Sequence, residues 1–242
     1  MPLTELNLAA YSRIVILTGA GISVASGIRP FRGPNGVWNE ISADQLNAEA
    51  GQNNPGFIWQ TLGAMRKVVA SAAPNAAHQA LADLEQNLTP SQQFTLITQN
   101  IDGLHQRAGS QNVVELHGSL LETRCSNSAC DAPVFADQAT HADQMPQCSV
   151  CHAHQLPNVV LFEEPIPLDA SWQSKKALRD CDLFLAIGTS GTVQPAASFV
   201  RSADYVGAHT ILINLEAPSE PNPYFHEVIV GAAEEILPTL LK

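Results

Sequence analysis

Charge is what this chain has least of. Only 14% of its 242 residues are Asp, Glu, Lys or Arg, and 12 basic against 23 acidic residues give a formal net charge of -11. Nucleic acid and anionic membranes are bound by basic faces that displace counterions or meet headgroups, so neither is expected as a partner. Long-range attraction would favour a basic peptide instead. Cysteine is also scarce, and five thiols are too few for a disulfide scaffold. No apolar run approaches the ~20 residues of a membrane span. The opening Met1-Pro-Leu-Thr-Glu-Leu6 carries no basic stretch followed by an apolar one, so a cytoplasmic protein is expected. What remains abundant is hydrophobic: 45% of the chain, enough to bury a sizeable core.

That apolar content is distributed in short runs. Segments 13–18, 94–98, 113–116, 183–187, 210–214 and 228–230 are brief and rich in branched residues, as strands buried on both faces of a parallel sheet are. Between them, 55–71, 75–85, 172–179, 195–205 and 232–241 have helical spacing. Such alternation predicts an α/β fold, a doubly wound parallel sheet with ligands outside the carboxyl ends of its strands.

Three polar constellations sit where that fold places ligands. The first is Gly19-Ala-Gly-Ile-Ser-Val-Ala-Ser-Gly-Ile-Arg-Pro-Phe-Arg32, directly after the apolar segment 14–17. A strand ending in glycines and turning into a helix offers bare N–H groups and a positive helix end to a phosphate. The spacing is not the dinucleotide fingerprint, because Gly27 follows Gly21 by six residues rather than three. The second is Thr98-Gln-Asn-Ile-Asp102-Gly-Leu-His105, with Asn100 and Asp102 at a strand end. The third is Val113-Val-Glu-Leu-His117-Gly118, where a histidine can act as a base near neutral pH.

The stretch from about 121 to 158 breaks the α/β rhythm. Cys125, Cys130, Cys148 and Cys151 form two paired knuckles that can close tetrahedrally on one Zn(2+), leaving no open position. A small module with little apolar core would use such a metal to fold. Cys181, at the entrance to an apolar strand, reads as a buried, inert thiol.

Taken in order, Gly19 to Arg32, Thr98 to His105, Glu115 to Gly118, the paired cysteines, Ile187-Gly-Thr-Ser190 and Ile213-Asn-Leu-Glu216 resemble the sirtuins over nearly the whole chain. The resemblance implies one catalytic domain over 1–242. Its Rossmann-like NAD-binding part would comprise 10–50, 90–120 and 160–242, with a helical insertion at 51–89 and a smaller zinc-ribbon module at 121–158. It implies NAD and zinc as cofactors, acyl-lysine proteins or peptides as partners, and a monomer. Gly19, Ala20, Gly21, Ile22, Ser23, Ile28, Phe31, Arg32 and Trp38 would hold the phosphates and form the loop over the cofactor. Gln99, Asn100, Ile101 and Asp102 would line the nicotinamide and ribose pocket. Gly188, Thr189 and Ser190 would contact the phosphate and ribose, Asn214, Leu215 and Glu216 the adenosine ribose, and Ala233 the adenine. The catalytic residues would be His117 as base, with Asn100 and Asp102.

In the family the acyl oxygen attacks the nicotinamide ribose, nicotinamide leaves, and free lysine and O-acyl-ADP-ribose are finally released. Peptides dock by main-chain pairing on a segment that usually reads Val-Val-x-Phe-Gly-Glu. Here Val159, Val160, Leu161 and Phe162 are followed by Glu163 in place of the glycine, then Glu164. That glutamate would either alter the loop or present a carboxylate to a basic substrate. The chain is most similar to the short bacterial branch that includes the desuccinylases, yet Leu62 and Met65 stand where that branch has its Tyr/Arg grip on an acyl carboxylate. An apolar lining favours acetyl or longer neutral acyl groups. Arg66, next door, is the residue that could restore desuccinylation. Protein ADP-ribosyl transfer is the other alternative.

Overall fold

A computed structural model describes residues 4–32, 36–141 and 144–242. Its strands are β1 (Arg13–Thr18), β2 (Gln93–Thr98), β3 (Val113–Glu115), β4 (Gly118–Cys125), β5 (Phe135–Ala136), β6 (Gln155–Val159), β7 (Leu183–Ile187), β8 (His209–Asn214) and β9 (Glu227–Val230). The helices are α1 (Ala48–Asn53), α2 (Pro55–Ser71), α3 (Ala76–Asn87), α4 (Leu104–Ala108), α5 (Leu168–Leu178), α6 (Phe199–Tyr205) and α7 (Ala233–Leu240).

Six strands form one parallel sheet in the order β3-β2-β1-β7-β8-β9. Alternation along them feeds two apolar layers. Ile14, Ile16, Leu96, Leu185 and Ile213 face α3 and α7, while Val15, Leu17, Ile97, Phe184 and Leu212 face α5 and α6. Both faces being covered explains why the central strands β1 and β7 read as nearly unbroken hydrophobic runs, whereas the edge strand β9 is largely exposed. The chain leaves β1 for β2 on one side and reaches β7 on the other, so the strand order reverses at the β1/β7 junction, where this architecture opens a crevice.

A second sheet, β5-β4-β6, is antiparallel and ends at the cysteines. None of its strands is among the six expected ones. Their sequences hold neither a continuous apolar run nor a regular alternation, and β5 is exposed, so they give a weaker signal than the large sheet. The helix expected at 172–179 spans Leu168–Leu178; its first residue is 89% exposed, so it adds nothing to the apolar stripe by which the start could be read. The helix expected at 195–205 is a 3-10 turn, Ala196–Ser198, followed by α6.

The stretch 51–89, expected as one helical insertion, packs in two places. From α2, Ile58, Trp59, Leu62 and Val69 join Leu120, Leu156 and Val159 of the small sheet. From α3, Ala77, Leu81 and Leu84 join the large sheet. The break falls at Asn75, whose side chain caps α3 and donates to the Ile22 carbonyl at 2.8 Å, tying that helix to the turn after β1. No helix among the described residues is long and apolar enough to cross a membrane.

Candidate active site and metal centre

The helix into which the glycine run turns after β1 is a 3-10 helix, Ala20–Ser26. Three of its leading N–H groups are committed to backbone carbonyls: Gly19 to Ile187 and Gly21 to Gly188, each at 2.9 Å, and Ile22 to Gly19 at 3.2 Å. Among the described residues that leaves the Ala20 N–H as the free donor of this turn, fewer than the sequence promised. The glycines have a second role. A Cβ on Gly21 would lie 2.7 Å from the Gly188 Cα, and one on Gly188 would lie 2.5 Å from the Ile22 nitrogen. Bare backbone is what lets the β1 and β7 loops meet across the crevice.

Five strand ends deliver polar groups to this junction. Asn100 donates from Nδ2 to the Gly19 carbonyl at 3.1 Å and to Ser23 Oγ at 3.3 Å, and Ser23 donates to Asp102 Oδ2 at 2.7 Å. Asp102 also accepts the Leu104 N–H at 3.0 Å. Burial raises its pKa, opposed by those hydrogen bonds and by Arg107. Gln99 reaches Thr189 Oγ1 at 3.0 Å, and Asn214 donates to the Thr189 carbonyl at 3.0 Å. The Asn100 side-chain carbonyl has no partner among the described residues, an acceptor left for a ligand.

His117 follows β3. Its Nδ1 lies 2.9 Å from the Gln99 carbonyl, which can only accept, so Nδ1 carries the proton and Nε2 is the open base. Burial lowers its pKa, against the opposing pull of that carbonyl, and keeps the ring neutral at physiological pH. Gly118 then turns the chain into β4 at φ +73°, where a Cβ would fall 2.1 Å from the Asn158 carbonyl. The glycine behind the histidine is therefore a requirement of the turn.

Beneath these groups lies a buried layer to which the sequence analysis assigned no role. Thr18 donates to Thr98 Oγ1 and meets His105 Nε2, both at 2.9 Å, and Thr98 accepts the Asn100 N–H at 3.0 Å. His78 meets Ser23 Oγ at 3.4 Å through Nε2, its Nδ1 accepting the Asn75 N–H. Burial pushes the pKa of His78 down to about 4 and that of His105 to about 3, so both are neutral supports. His105 lies within the singled-out run 98–105; His78, a single histidine within a helical stretch, carried no signal.

The other expected residues are dispersed. Ile28, Ile101, Met65 and Phe162 pack on one apolar cluster containing Leu62, Val159 and Leu161. Ala233 is in the core beside β8, whereas Ser190, Leu215, Glu216 and Arg32 are exposed and Phe31 is half-buried. The Trp38 side chain lies outside what is described, as do residues 33–35 of the same loop. Arg66 is fully buried. It donates to the carbonyls of Leu120 at 2.7 Å and of Ala139 and Glu122 at 2.8 Å, pairs with Asp137 at 3.0 Å and lies over the Trp59 ring. Burial opposes the Asp137 charge, but Thr123, His141, the Ala139 N–H and Arg66 together hold its carboxyl at about 2.

The docking segment is also largely occupied. The N–H of Val160 donates to the His117 carbonyl and that of Phe162 to the Leu46 carbonyl, each at 2.9 Å, while the Leu161 N–H meets Glu164 at 3.0 Å. Strand addition along all of 159–162 is thus narrowed to the groups still open, among the described residues the Val160 carbonyl and the backbone of Glu163.

At the far end of β4, the Sγ atoms of Cys125, Cys130, Cys148 and Cys151 lie within 4.8 Å of one another. Tetrahedral zinc with ~2.3 Å bonds needs sulfurs about 3.8 Å apart, so these residues could hold it with little adjustment. The eight residues of β4 separate this cluster from His117 by about 20 Å, which makes it a structural centre. Cys181 is buried, its pKa pushed up to about 11, as an inert thiol should be.

Comparisons with known proteins agree with this geometry. The model of the Sir2 family matches residues 19–195. An NAD-dependent protein deacylase of Pasteurella multocida (strain Pm70) is 43% identical over 234 residues, covering 95% of this chain and 96% of its own. A crystal structure of a Sir2 homologue with NAD superposes with a TM-score of 0.88 at 34% identity, covering 100% of this chain and 95% of that one. A Sir2 variant bound to a deacetylated p53 peptide and 3'-O-acetyl-ADP-ribose gives a TM-score of 0.86 at 30% identity, covering 96% and 93%.

Proposed function

Since the chain belongs to the Sir2 family and is an NAD-dependent protein deacylase, we propose that it removes acetyl and longer neutral acyl groups from lysine side chains, with His117 as the base and Leu62 and Met65 lining the acyl channel. The polar strand ends and the glycine-lined β1/β7 crevice fit a dinucleotide: an open Ala20 N–H, an open Asn100 carbonyl, and backbone where a Cβ would obstruct. Bound NAD supplies a ribose carbon with nicotinamide as leaving group, and hydroxyls that take over the acyl chain. His117 Nε2 accepts the proton from a ribose hydroxyl, a role its fixed tautomer and lowered pKa suit. Asn100 and Asp102, braced by Ser23, orient the reacting ribose and a water. Phe31 and Arg32 exclude bulk water from above.

The observation that carries the acyl preference is the fate of Arg66. Its guanidinium is buried and held by carbonyls and Asp137, so it offers nothing to an acyl carboxylate, and Leu62 and Met65 offer none either. Each buried methylene of a neutral chain gains about 0.8 kcal/mol against such a lining. Acetyl-, octanoyl- and succinyl-lysine peptides incubated with NAD provide the test. Acetyl and octanoyl peptides should release nicotinamide and O-acyl-ADP-ribose, the succinyl peptide little, and His117→Ala should lower turnover about 10²- to 10⁴-fold. A dominant succinyl rate overturns the acyl preference; ADP-ribosylated protein as main product favours the transferase alternative.

A further inference from the structure

The two adjacent carboxylates after the docking segment have opposite fates. Glu164 is held by Arg124, with Nη2 at 2.9 and 2.8 Å from its two oxygens, and its Oε2 accepts the Leu161 N–H at 3.0 Å. That carboxylate anchors the segment to β4. Glu163 does none of this. It is exposed, and among the described residues neither its side chain nor its backbone N–H and C=O holds a hydrogen bond or ion pair.

Its backbone is at φ +68°, a left-handed conformation that glycine adopts freely and side-chain-bearing residues rarely do. Nothing among the described residues offsets the strain: the carboxylate caps no N–H and pairs with no cation there. Strain at an unpartnered, exposed residue points outward, to something the fold itself does not contain. The backbone is pinned on both sides of Glu163, before it by Phe162 N–H to the Leu46 carbonyl and Ala48 N–H to the Phe162 carbonyl, each at 2.9 Å, and after it by Glu164 N–H to the Leu161 carbonyl at 3.1 Å, so the residue is projected from a fixed base.

We propose that Glu163 reads substrate charge, its carboxylate pairing with a lysine or arginine side chain flanking the acyl-lysine of the docked peptide. This rests on the deacylase reading and on docking beside Val160. The open Val160 carbonyl and Glu163 backbone are the groups an extended peptide can pair with, and a peptide paired there passes the carboxylate. The only neighbouring cation in the described contacts of this loop, Arg124, is neutralised by Glu164, so the Glu163 charge is uncompensated. The net charge of -11 draws the same class of ligand from a distance.

The test walks one arginine, or one glutamine as control, through the positions on either side of an acetyl-lysine, with kcat/KM measured at low and high salt. The expected result is a position at which the wild-type protein favours arginine about two- to five-fold at low salt, as exposed ion pairs do, and less at high salt. Glu163→Gln should bring that ratio to one, and Glu163→Asp, which keeps the charge, should retain it. An arginine preference unchanged in Glu163→Gln, or none at any position, overturns the proposal. Absence of turnover with every peptide overturns the deacylase reading with it, so the two failures are distinct.

Discussion

In the six-stranded sheet, successive apolar residues of the inner strands enter one of two apolar layers; the three-stranded sheet has one such layer, a buried guanidinium and a ring of four thiols. The large sheet is wide enough for burial alone to fix its backbone, and its strand ends can carry a polar network whose groups brace one another. The small sheet buries too little for that and is cross-linked by charge and by sulfur. Hydrophobic burial is spread over many residues and tolerates single losses. The ties in the small sheet are few, so the loss of one should weigh more.

Metal removal separates the two regions most. Stripping zinc from the purified protein with a chelator should cost the module an apparent ~10 kcal/mol or more. Amide exchange should then show β4 and β6 losing protection while β1, β7 and β8 keep theirs; uniform loss would mean the sheets are not independent. Arg66→Met comes next. It leaves Asp137 buried without its charge partner and should lower stability by about 3–5 kcal/mol in urea denaturation, a change under 1 kcal/mol counting against the cross-link role.

The corresponding injury to the large sheet is smaller. Gly21→Ala forces the β1 and β7 loops apart and should cost about 1–3 kcal/mol in thermal unfolding, with a larger proportional loss of NAD affinity because the crevice itself is displaced. Smallest is a pH effect at the polar strand ends. His117 must be neutral to act, and its pKa lies below the usual 6.5, so the acid limb of kcat/KM should have its midpoint below that value, activity falling as pH drops through it. A midpoint above 6.5 would remove burial as the dominant influence on the ring.

The difference between the sheets is also the difference in what could be read in advance. Strands β1, β2, β3, β7, β8 and β9 were each anticipated to within about a residue at either end, because short runs rich in branched apolar residues mark them, buried on both faces in the central strands and largely exposed in β9. Strands β4 to β6 were not, since their sequences hold neither a continuous apolar run nor a regular alternation. Within the site, Asn100, Asp102 and His117 could be singled out because each follows a strand. His78 could not, because its tie to Ser23 spans 55 positions of sequence and leaves no local pattern.

Local regularities were thus settled by the sequence itself: the parallel sheet, the four-thiol ligand set and the order of motifs that identifies the family. Each depends on periodicity or spacing between near neighbours in the chain. Only the tertiary structure decided that Arg66 braces the small sheet instead of facing the acyl group. The same is true of the glycines after β1, which press against Gly188, and of Glu163, which stands open while Glu164 is bound. Those outcomes depend on which carbonyl, glycine or cation arrives from a distant part of the chain, and hydrogen bonds and close contacts are fixed only when packing brings both partners within about 3 Å.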